Sequence, residues 1–140
     1  MMIVDANVLL YAMSAPSEHH RTSRSWLDDA LNGTESVGLP WLSILAFVRL
    51  STLRTVLPVP LTPDESFGVV ESWLAQPPAV LLEPGPNHLA TMRRLIAAMG
   101  RAGNLVNDAH LAALALEYDG EVVTFDSDLG RFPGVRWRTP

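Results

Sequence analysis

The sequence has 140 residues, which is enough for one domain with a sizeable core, and 48% of them are hydrophobic, which argues against disorder. The formal net charge of −5 counts against a protein that binds nucleic acid through a broad basic surface. The chain contains neither cysteine nor lysine, so disulfides, thiolate metal sites and catalytic lysines are excluded, and no apolar run reaches the roughly 18 residues that span a membrane.

Strands and helices alternate in the first half of the chain. The apolar residues 2–4 predict a buried strand, and residues 7–13 predict a short helix with Asn7 as a candidate cap. After a polar loop, residues 22–31 predict a second helix. A short strand at 37–39 then leads into a mostly apolar helix at 41–53.

The same alternation continues in the second half. Thr62 followed by proline and two acids predicts a helix that begins there and ends near residue 75. The remaining predicted elements are a strand at 80–82, a helix at 87–99, a helix capped by Asn104 or Asn107 and ending at 118, a strand at 122–125 and a short edge strand near 135–137. This order predicts an α/β fold with a parallel sheet covered on both faces, in a single domain over residues 1–140.

Aspartates follow two of the predicted strands. Asp5 ends the first strand, Asp126 and Asp128 follow the strand at 122–125, and Asp108 lies near the first turn of a helix. Sites in parallel sheets form at the carboxyl ends of strands, so these acids are expected to face one crevice, where a hard divalent cation would offset their charge. Taken singly, each acid also fits a helix cap, a favourable helix-dipole position or a turn.

The absence of lysine removes three other kinds of acidic α/β pocket. Haloacid-dehalogenase phosphatases and phosphoreceiver domains both use a lysine beside their acids, and the former also place a second aspartate where this chain has Asn7. A P-loop nucleotide binder needs a glycine-rich loop that ends in lysine.

Several segments of the chain together carry a resemblance. They are residues 2–12 (MIVDANVLLYA), His19-His20, Trp26-Leu27, residues 45–50 (LAFVRL), residues 103–115 (GNLVNDAHLAALA), residues 126–129 (DSDL) and residues 131–134 (RFPG). In their order and spacing these segments resemble PIN-domain ribonucleases, in particular the VapC toxins of VapBC toxin–antitoxin pairs. They are similar to a group of these toxins that is abundant in mycobacteria.

The resemblance implies a three-layer α/β/α sandwich with a central parallel sheet and an acidic pocket that binds Mg²⁺ or Mn²⁺. It maps the metal-binding and catalytic acids to Asp5, Asp108 and Asp126, with Asp128 as an additional acid. It also implies an endoribonuclease that cleaves RNA, often tRNA or ribosomal RNA, as the toxin of a type II pair.

One position departs from the family. The second family acid is commonly a glutamate, and the alignment places Ala46 there, with no acid anywhere between Ser36 and Pro63. Asp128 is the candidate replacement. The departure supports an alternative function, a catalytically weak PIN domain that binds RNA or its antitoxin without efficient cleavage.

Other polar residues have two interpretations each. Asn7 is expected to orient Asp5 or a metal-bound water, unless it is only a helix cap, and Arg49 is expected to contact phosphate, unless it is only a solvated helix residue. His110 lies two residues after Asp108 and therefore on another face of its helix, where a buried, hydrogen-bonded histidine is expected. His19 and His20 are expected to be ordinary loop residues, and a metal-binding role for this pair is the less favoured interpretation.

The partners follow from the resemblance alone. It implies a cognate VapB-type antitoxin, whose apolar helix would occupy a groove formed by residues 41–53 or by the region of Trp73 and Leu74. It also implies a homodimer. We expect a cytoplasmic protein, because the N-terminus lacks the basic region of a signal peptide and the absence of cysteine suits a reducing compartment.

Overall fold

A computed structural model describes residues 1–140 and is built on a five-stranded sheet in which every paired strand is parallel to its neighbour. The strands are β1 (Met2–Val4), β2 (Val37–Pro40), β3 (Ala79–Leu82), β4 (Glu121–Val123) and β5 (Arg136–Arg138). Their order across the sheet is β3-β2-β1-β4-β5, so the chain adds strands on one side of β1 and then crosses to the other side. The strand order therefore reverses between β1 and β4, which is where a crevice opens at the carboxyl ends of the strands.

Six α-helices connect the strands, as the alternating pattern predicted. They are α1 (Ala6–Met13), α2 (His20–Leu31), α3 (Trp41–Ser51), α4 (Pro63–Leu74), α5 (His88–Met99) and α6 (Leu105–Glu117), with a 3-10 turn at Ser127–Arg131. Most ends fall within two residues of the prediction. The strand predicted at 122–125 instead ends at Val123, which leaves Thr124 and Phe125 in the loop at the carboxyl edge of the sheet.

The sheet separates two hydrophobic cores. Val4 and Val123 point to one face, whereas Ile3 and Val122 point to the other, because side chains alternate along a strand. Helices α1 to α4 cover the first face, and α5, α6 and the 3-10 turn cover the second. These layers confirm the predicted three-layer α/β/α sandwich. None of the helices is long and apolar enough to cross a membrane.

The helix ends confirm one predicted cap and correct two. Thr62 forms the full capping box of α4, since its hydroxyl accepts from Glu65 N at 3.2 Å and its own N–H donates to Glu65 Oε2 at 2.7 Å. Asn104 precedes α6, but its side chain makes no capping hydrogen bond. The predicted cap Asn7 is wrong, because Asp5 caps α1 and Asn7 lies inside its first turn.

Candidate active site

Asp5 stands at the junction of β1 and α1, beside the point where the strand order reverses. Its Oδ1 accepts from Ala6 N at 2.6 Å, and its Oδ2 accepts from the Thr124 hydroxyl at 2.7 Å and from Asn7 Nδ2 at 2.8 Å. Burial raises the pKa of Asp5 above its ordinary value, the charge of Asp126 adds to the rise, and the hydrogen bonds oppose it. Asp5 is therefore both the cap of α1 and a carboxylate held in one orientation.

Asn7 joins the first strand–helix junction to the loop after β4. Its Nδ2 donates to Asp5 Oδ2 and to the Thr124 hydroxyl at 3.0 Å, and its Oδ1 accepts from Phe125 N at 3.3 Å. All of its amide partners are thus within or beside the acidic cluster. This arrangement is what an orienting residue for Asp5 requires.

Thr124 is a site residue that the sequence analysis missed. Its buried hydroxyl donates to Asp5 and accepts from the backbone N–H of Asp126 at 2.9 Å. It therefore holds the Asp5 carboxylate and the backbone of Asp126 next to each other. The available signal was a threonine directly between an apolar strand and Asp126, at the carboxyl edge of the sheet.

Asp126 and Asp128 lie in the segment after β4, where Asp126 caps the 3-10 turn and Asp128 lies within it. Asp126 Oδ1 accepts from the backbone N–H of Asp128 at 2.8 Å, so the turn interpretation of this segment is also true. Asp128 forms an exposed ion pair with Arg131 at 3.3 Å. Asp126 forms no ion pair, and its negative charge contributes to the raised pKa of both Asp5 and Asp108.

Asp108, in the first turn of α6, is the most perturbed of these carboxylates. Burial raises the pKa of Asp108 to about 6, and the charges of Asp126, Asp5 and Asp128 contribute to the rise in that order. The four predicted acids therefore act on one another across the reversal point between β1 and β4. Asp108, Asp126 and Asp128 also line one cleft of about 490 Å³.

The acids carry uncompensated negative charge. Asp5, Asp108 and Asp126 form no ion pair with any basic side chain. As the side chains stand, no three carboxylate or imidazole groups converge closely enough to hold one metal ion among them. This spacing excludes a cage made only of protein ligands and is compatible with an ion such as Mg²⁺, which keeps several waters and uses one or two carboxylates.

Arg101 is a second residue that the sequence analysis missed. It is the only basic side chain that lines the acidic cleft, and it forms no ion pair there. The signal was an arginine in the short loop between Gly100 and Gly103, just before the helix of Asp108. Arg49 is placed differently, since it is exposed in the last turn of α3 and does not line the cleft.

None of the four histidines forms a hydrogen bond or ion pair with Asp5, Asp108, Asp126 or Asp128. His110 Nδ1 lies 2.8 Å from Nε2 of the buried His88, whose Nδ1 lies 3.0 Å from Glu117 Oε1. The predicted hydrogen bond of His110 is therefore confirmed, but its side chain is half-buried rather than buried. Burial and the neighbouring His88 lower the pKa of His110. His20 Nδ1 lies 2.9 Å from the Tyr11 carbonyl oxygen, and the His19 ring packs on Phe125.

Two surfaces match the predicted grooves. Helix α3 contributes Trp41, Leu42 and Leu45 to an apolar groove that also includes His110 and adjoins the acidic cleft at Asn107. We call this surface the α3–α6 groove. Trp73 lies in a separate cleft of about 510 Å³ between α2 and α4.

Comparisons with known proteins point to a single family. A family model described as PIN domain matches residues 2–135. Ribonuclease VapC37 of Mycobacterium tuberculosis is 51% identical over 140 residues, covering 100% of this chain and 97% of that protein. Ribonuclease VapC33 of the same organism is 37% identical and covers 100% of this chain and 98% of its own.

Solved structures show the same fold. VapBC2 from Rickettsia felis, bound to a DNA fragment from its promoter, matches with a TM-score of 0.71 and 13% identity over 99% of this chain and 97% of that one. VapC20 from Mycobacterium tuberculosis, a sarcin–ricin loop cleaving toxin, also matches with a TM-score of 0.71 and 13% identity, over 97% of this chain and 99% of that one.

Proposed function

The chain belongs to the PIN-domain family, and from this membership we propose that it is a metal-dependent endoribonuclease, the toxin of a type II toxin–antitoxin pair that a cognate VapB-type antitoxin inhibits. Full-length similarity to VapC ribonucleases supports the reaction class. The observation that carries the proposal is the cluster of unpaired carboxylates at the reversal point of the sheet, where Asp108 has a pKa of about 6. Such a cluster is costly to maintain unless a cation binds to it.

In the proposed site, Asp5 and Asp108 would hold Mg²⁺ or Mn²⁺, with Asp126 as a further ligand, directly or through water. Asp128 is the further acid of the cleft and pairs with Arg131. When bound, the ion would orient a water for in-line attack on a phosphodiester and offset charge on the phosphate oxygens. Asn7 and Thr124 keep Asp5 in position through the hydrogen bonds described above.

Arg101 is proposed to contact an RNA phosphate. An unpaired guanidinium at the wall of an acidic cleft offers a charge-assisted, bidentate partner for a phosphate group. It also offsets repulsion between the acidic protein and the RNA backbone. Arg49 has no supporting contact for the same role.

RNA cleavage tests the enzyme assignment. Purified wild type should cleave RNA with Mn²⁺ and stop when EDTA is added, whereas Asp5→Asn and Asp108→Asn should lose at least about 100-fold in rate, as expected for metal ligands that act as a unit. Asp29→Asn removes an exposed acid of α2 and should leave the rate unchanged. Equal cleavage by wild type and Asp5→Asn would refute the site.

The partners remain those implied by the family. We propose that the substrate is tRNA or ribosomal RNA in the cytoplasm and that residues 1–140 act as one PIN domain in a homodimer. The antitoxin is proposed to lay an apolar helix in the α3–α6 groove, because this groove adjoins the acidic cleft and lets a basic side chain reach the acids. Leu45→Asp should then abolish co-purification with the antitoxin while RNA cleavage persists.

The alternative is a PIN domain that binds RNA or its antitoxin without efficient cleavage. Ala46 favours it, because α3 supplies no acid to the cleft. Tight RNA binding without products, in Mn²⁺ as in EDTA, would favour this alternative. Recovery of cleavage in Ala46→Glu would then identify the missing acid as the reason.

A further inference from the structure

Three aromatic rings meet beside the acidic cluster. The His19 ring stacks on Phe125 with centroids 4.2 Å apart and an angle of 27° between the ring planes. Tyr11 packs its edge against Phe125 at 5.5 Å and lies 5.1 Å from His19. Neither the carboxylate cluster nor the α3–α6 groove uses these side chains.

The aromatic cluster is connected to the proposed catalytic residues by short contacts. Phe125 directly precedes Asp126, and its backbone N–H donates to Asn7 Oδ1 at 3.3 Å. The same Asn7 side chain donates to Asp5 Oδ2 at 2.8 Å. The backbone that carries the Phe125 ring therefore belongs to the hydrogen-bond network that orients Asp5, and the His19 and Tyr11 rings pack on that ring.

His19 is both accessible and held in place. Its side chain is 37% exposed, and its Nε2 lies 3.6 Å from a carboxylate oxygen of the largely exposed Glu18. The backbone N–H of His19 donates to the Ser17 hydroxyl at 3.1 Å, and the next residue, His20, contacts the Tyr11 carbonyl oxygen. A ring fixed before binding loses little conformational entropy when a ligand packs on it.

Proteins recognise unpaired RNA bases by stacking them on the flat faces of Phe, Tyr, Trp or His side chains. We propose that His19, supported by Phe125, is the platform on which one unpaired RNA base stacks beside the cleaved phosphate. The inference rests on the proposed function and names a substrate feature, an unpaired base next to the cut site. It also gives an acidic protein a means of holding RNA that does not depend on basic residues.

Base stacking can be measured without catalysis. Short single-stranded RNA oligonucleotides with 2-aminopurine at one internal position are bound to Asp108→Asn protein with Mg²⁺, and fluorescence quenching reports stacking of the modified base. Quenching is expected at one or two positions along the RNA. In this background His19→Leu, which keeps bulk but has no aromatic face, should lose the quenching and weaken binding about fivefold to 150-fold.

Two further variants serve as matched controls. His19→Tyr keeps an aromatic face and should retain both quenching and affinity. Phe67→Ala removes an exposed aromatic ring from α4, away from the cluster, and should change neither. Thermal unfolding of every variant identifies any loss of affinity caused by misfolding, and His19→Tyr keeps the test decisive if His19→Leu unfolds.

The outcomes separate the inference from the proposed function. If His19→Leu quenches and binds as its Asp108→Asn parent does, the inference is overturned even though wild type still cleaves RNA. A loss of antitoxin binding alone in His19→Leu would also overturn it, because the cluster would then be a protein-binding surface. If wild type neither binds nor cleaves any RNA, the proposed function fails and the inference fails with it.

Discussion

At the scale of single residues, Asp108 is the acid of the cleft whose ionisation is opposed most strongly. Its carboxylate is partly removed from water and is surrounded by the charges of three other aspartates. Each of those charges opposes its ionisation. A residue kept in such surroundings is expected to matter more for function than for stability.

Asp108→Asn should therefore separate activity from stability. Cleavage should fall at least about 100-fold because a proposed metal ligand is lost. The metal-free variant should unfold at a higher temperature than wild type at pH 7, because removal of one charge relieves repulsion by the other acids. Thermal unfolding in EDTA provides the comparison, with Asp29→Asn as control. A lower unfolding temperature for Asp108→Asn would contradict this interpretation.

Asn7→Ala should act through Asp5. The change removes the hydrogen bonds of the Asn7 amide to Asp5, Thr124 and Phe125, so the Asp5 carboxylate is held less firmly, by Ala6 N and the Thr124 hydroxyl alone. We expect Mn²⁺ affinity or cleavage rate to fall roughly 10- to 100-fold, as for other residues that orient metal ligands. Mn²⁺ titration and cleavage assays measure the two effects.

Asn32→Ala is the matched control, because it removes one exposed amide hydrogen bond at the end of α2. It should lower stability slightly and leave cleavage unchanged. If Asn7→Ala behaves in the same way as Asn32→Ala, Asn7 has only a structural role.

At the scale of elements, β2 depends on a close approach that only glycine permits. A Cβ at Gly38 would lie 2.5 Å from Leu82 Cδ1 and 3.4 Å from Ile3 Cγ1, and both neighbouring side chains are buried in the core beneath α5 and α6. Leu82 belongs to the adjacent strand β3. The glycine therefore allows a leucine of one strand to cover the backbone of the next.

Gly38→Ala should destabilise the protein by about 1–3 kcal/mol, the usual cost of overpacking a core. Gly68→Ala is its counterpart in the exposed interior of α4, where an added Cβ meets nothing within 4 Å. That change should stabilise by roughly 0.5–1 kcal/mol, because alanine favours helix. Chemical denaturation of both variants gives the free energies of unfolding. Similar values for the two variants would show that Leu82 can move aside.

The sequence predicted the elements better than the contacts between them. Apolar runs, Thr62 at a helix start and alternation of strands with helices were local signals, and they sufficed for the sandwich. The role of Thr124 was not local, because its hydroxyl contacts residues from both ends of the chain. Arg101 likewise lines the acidic cleft only because the fold places its loop opposite Asp126. Long-range side-chain pairing of this kind leaves no periodic pattern in a single sequence.

At the scale of the whole molecule, the acidic cluster should influence the pH dependence of folding. The pKa of Asp108 in the folded protein, about 6, exceeds its ordinary value of 3.8, and that of Asp5 is also raised. Between these two values the folded state binds more protons than the unfolded state, so these groups make the metal-free protein more stable as pH falls from 7 towards 4.

Unfolding of wild type and Asp108→Asn in EDTA at several pH values measures this contribution. The variant should lack part of the stability that wild type gains on acidification below about pH 6. The quantity to compare is how the free energy of unfolding of each protein changes with pH, because ordinary surface carboxylates affect both proteins equally. If the free energies of unfolding of the two proteins changed with pH in the same way, folding would not raise the pKa of Asp108.

Metal binding should also stabilise the molecule as a whole. An ion that binds only the folded state adds about 2.7 kcal/mol to the free energy of unfolding at a concentration 100 times its Kd. Mn²⁺ should raise the unfolding temperature of wild type by several degrees and that of Asp5→Asn much less. The rise should shrink below about pH 6, where protonation of Asp108 competes with the ion. Equal rises in both proteins would place the ion elsewhere.

The hydrogen bonds that link Glu117, His88 and His110 decide which ring nitrogen of each histidine carries a proton. With both rings neutral, Glu117 accepts the Nδ1 proton of His88, so His88 Nε2 is bare and must accept the Nδ1 proton of His110. His110 Nε2 then carries a lone pair at the α3–α6 groove. At His110 this largely apolar groove, whose other polar side chain is Asn107, therefore favours a ligand that brings an N–H or O–H and disfavours one that brings only an acceptor.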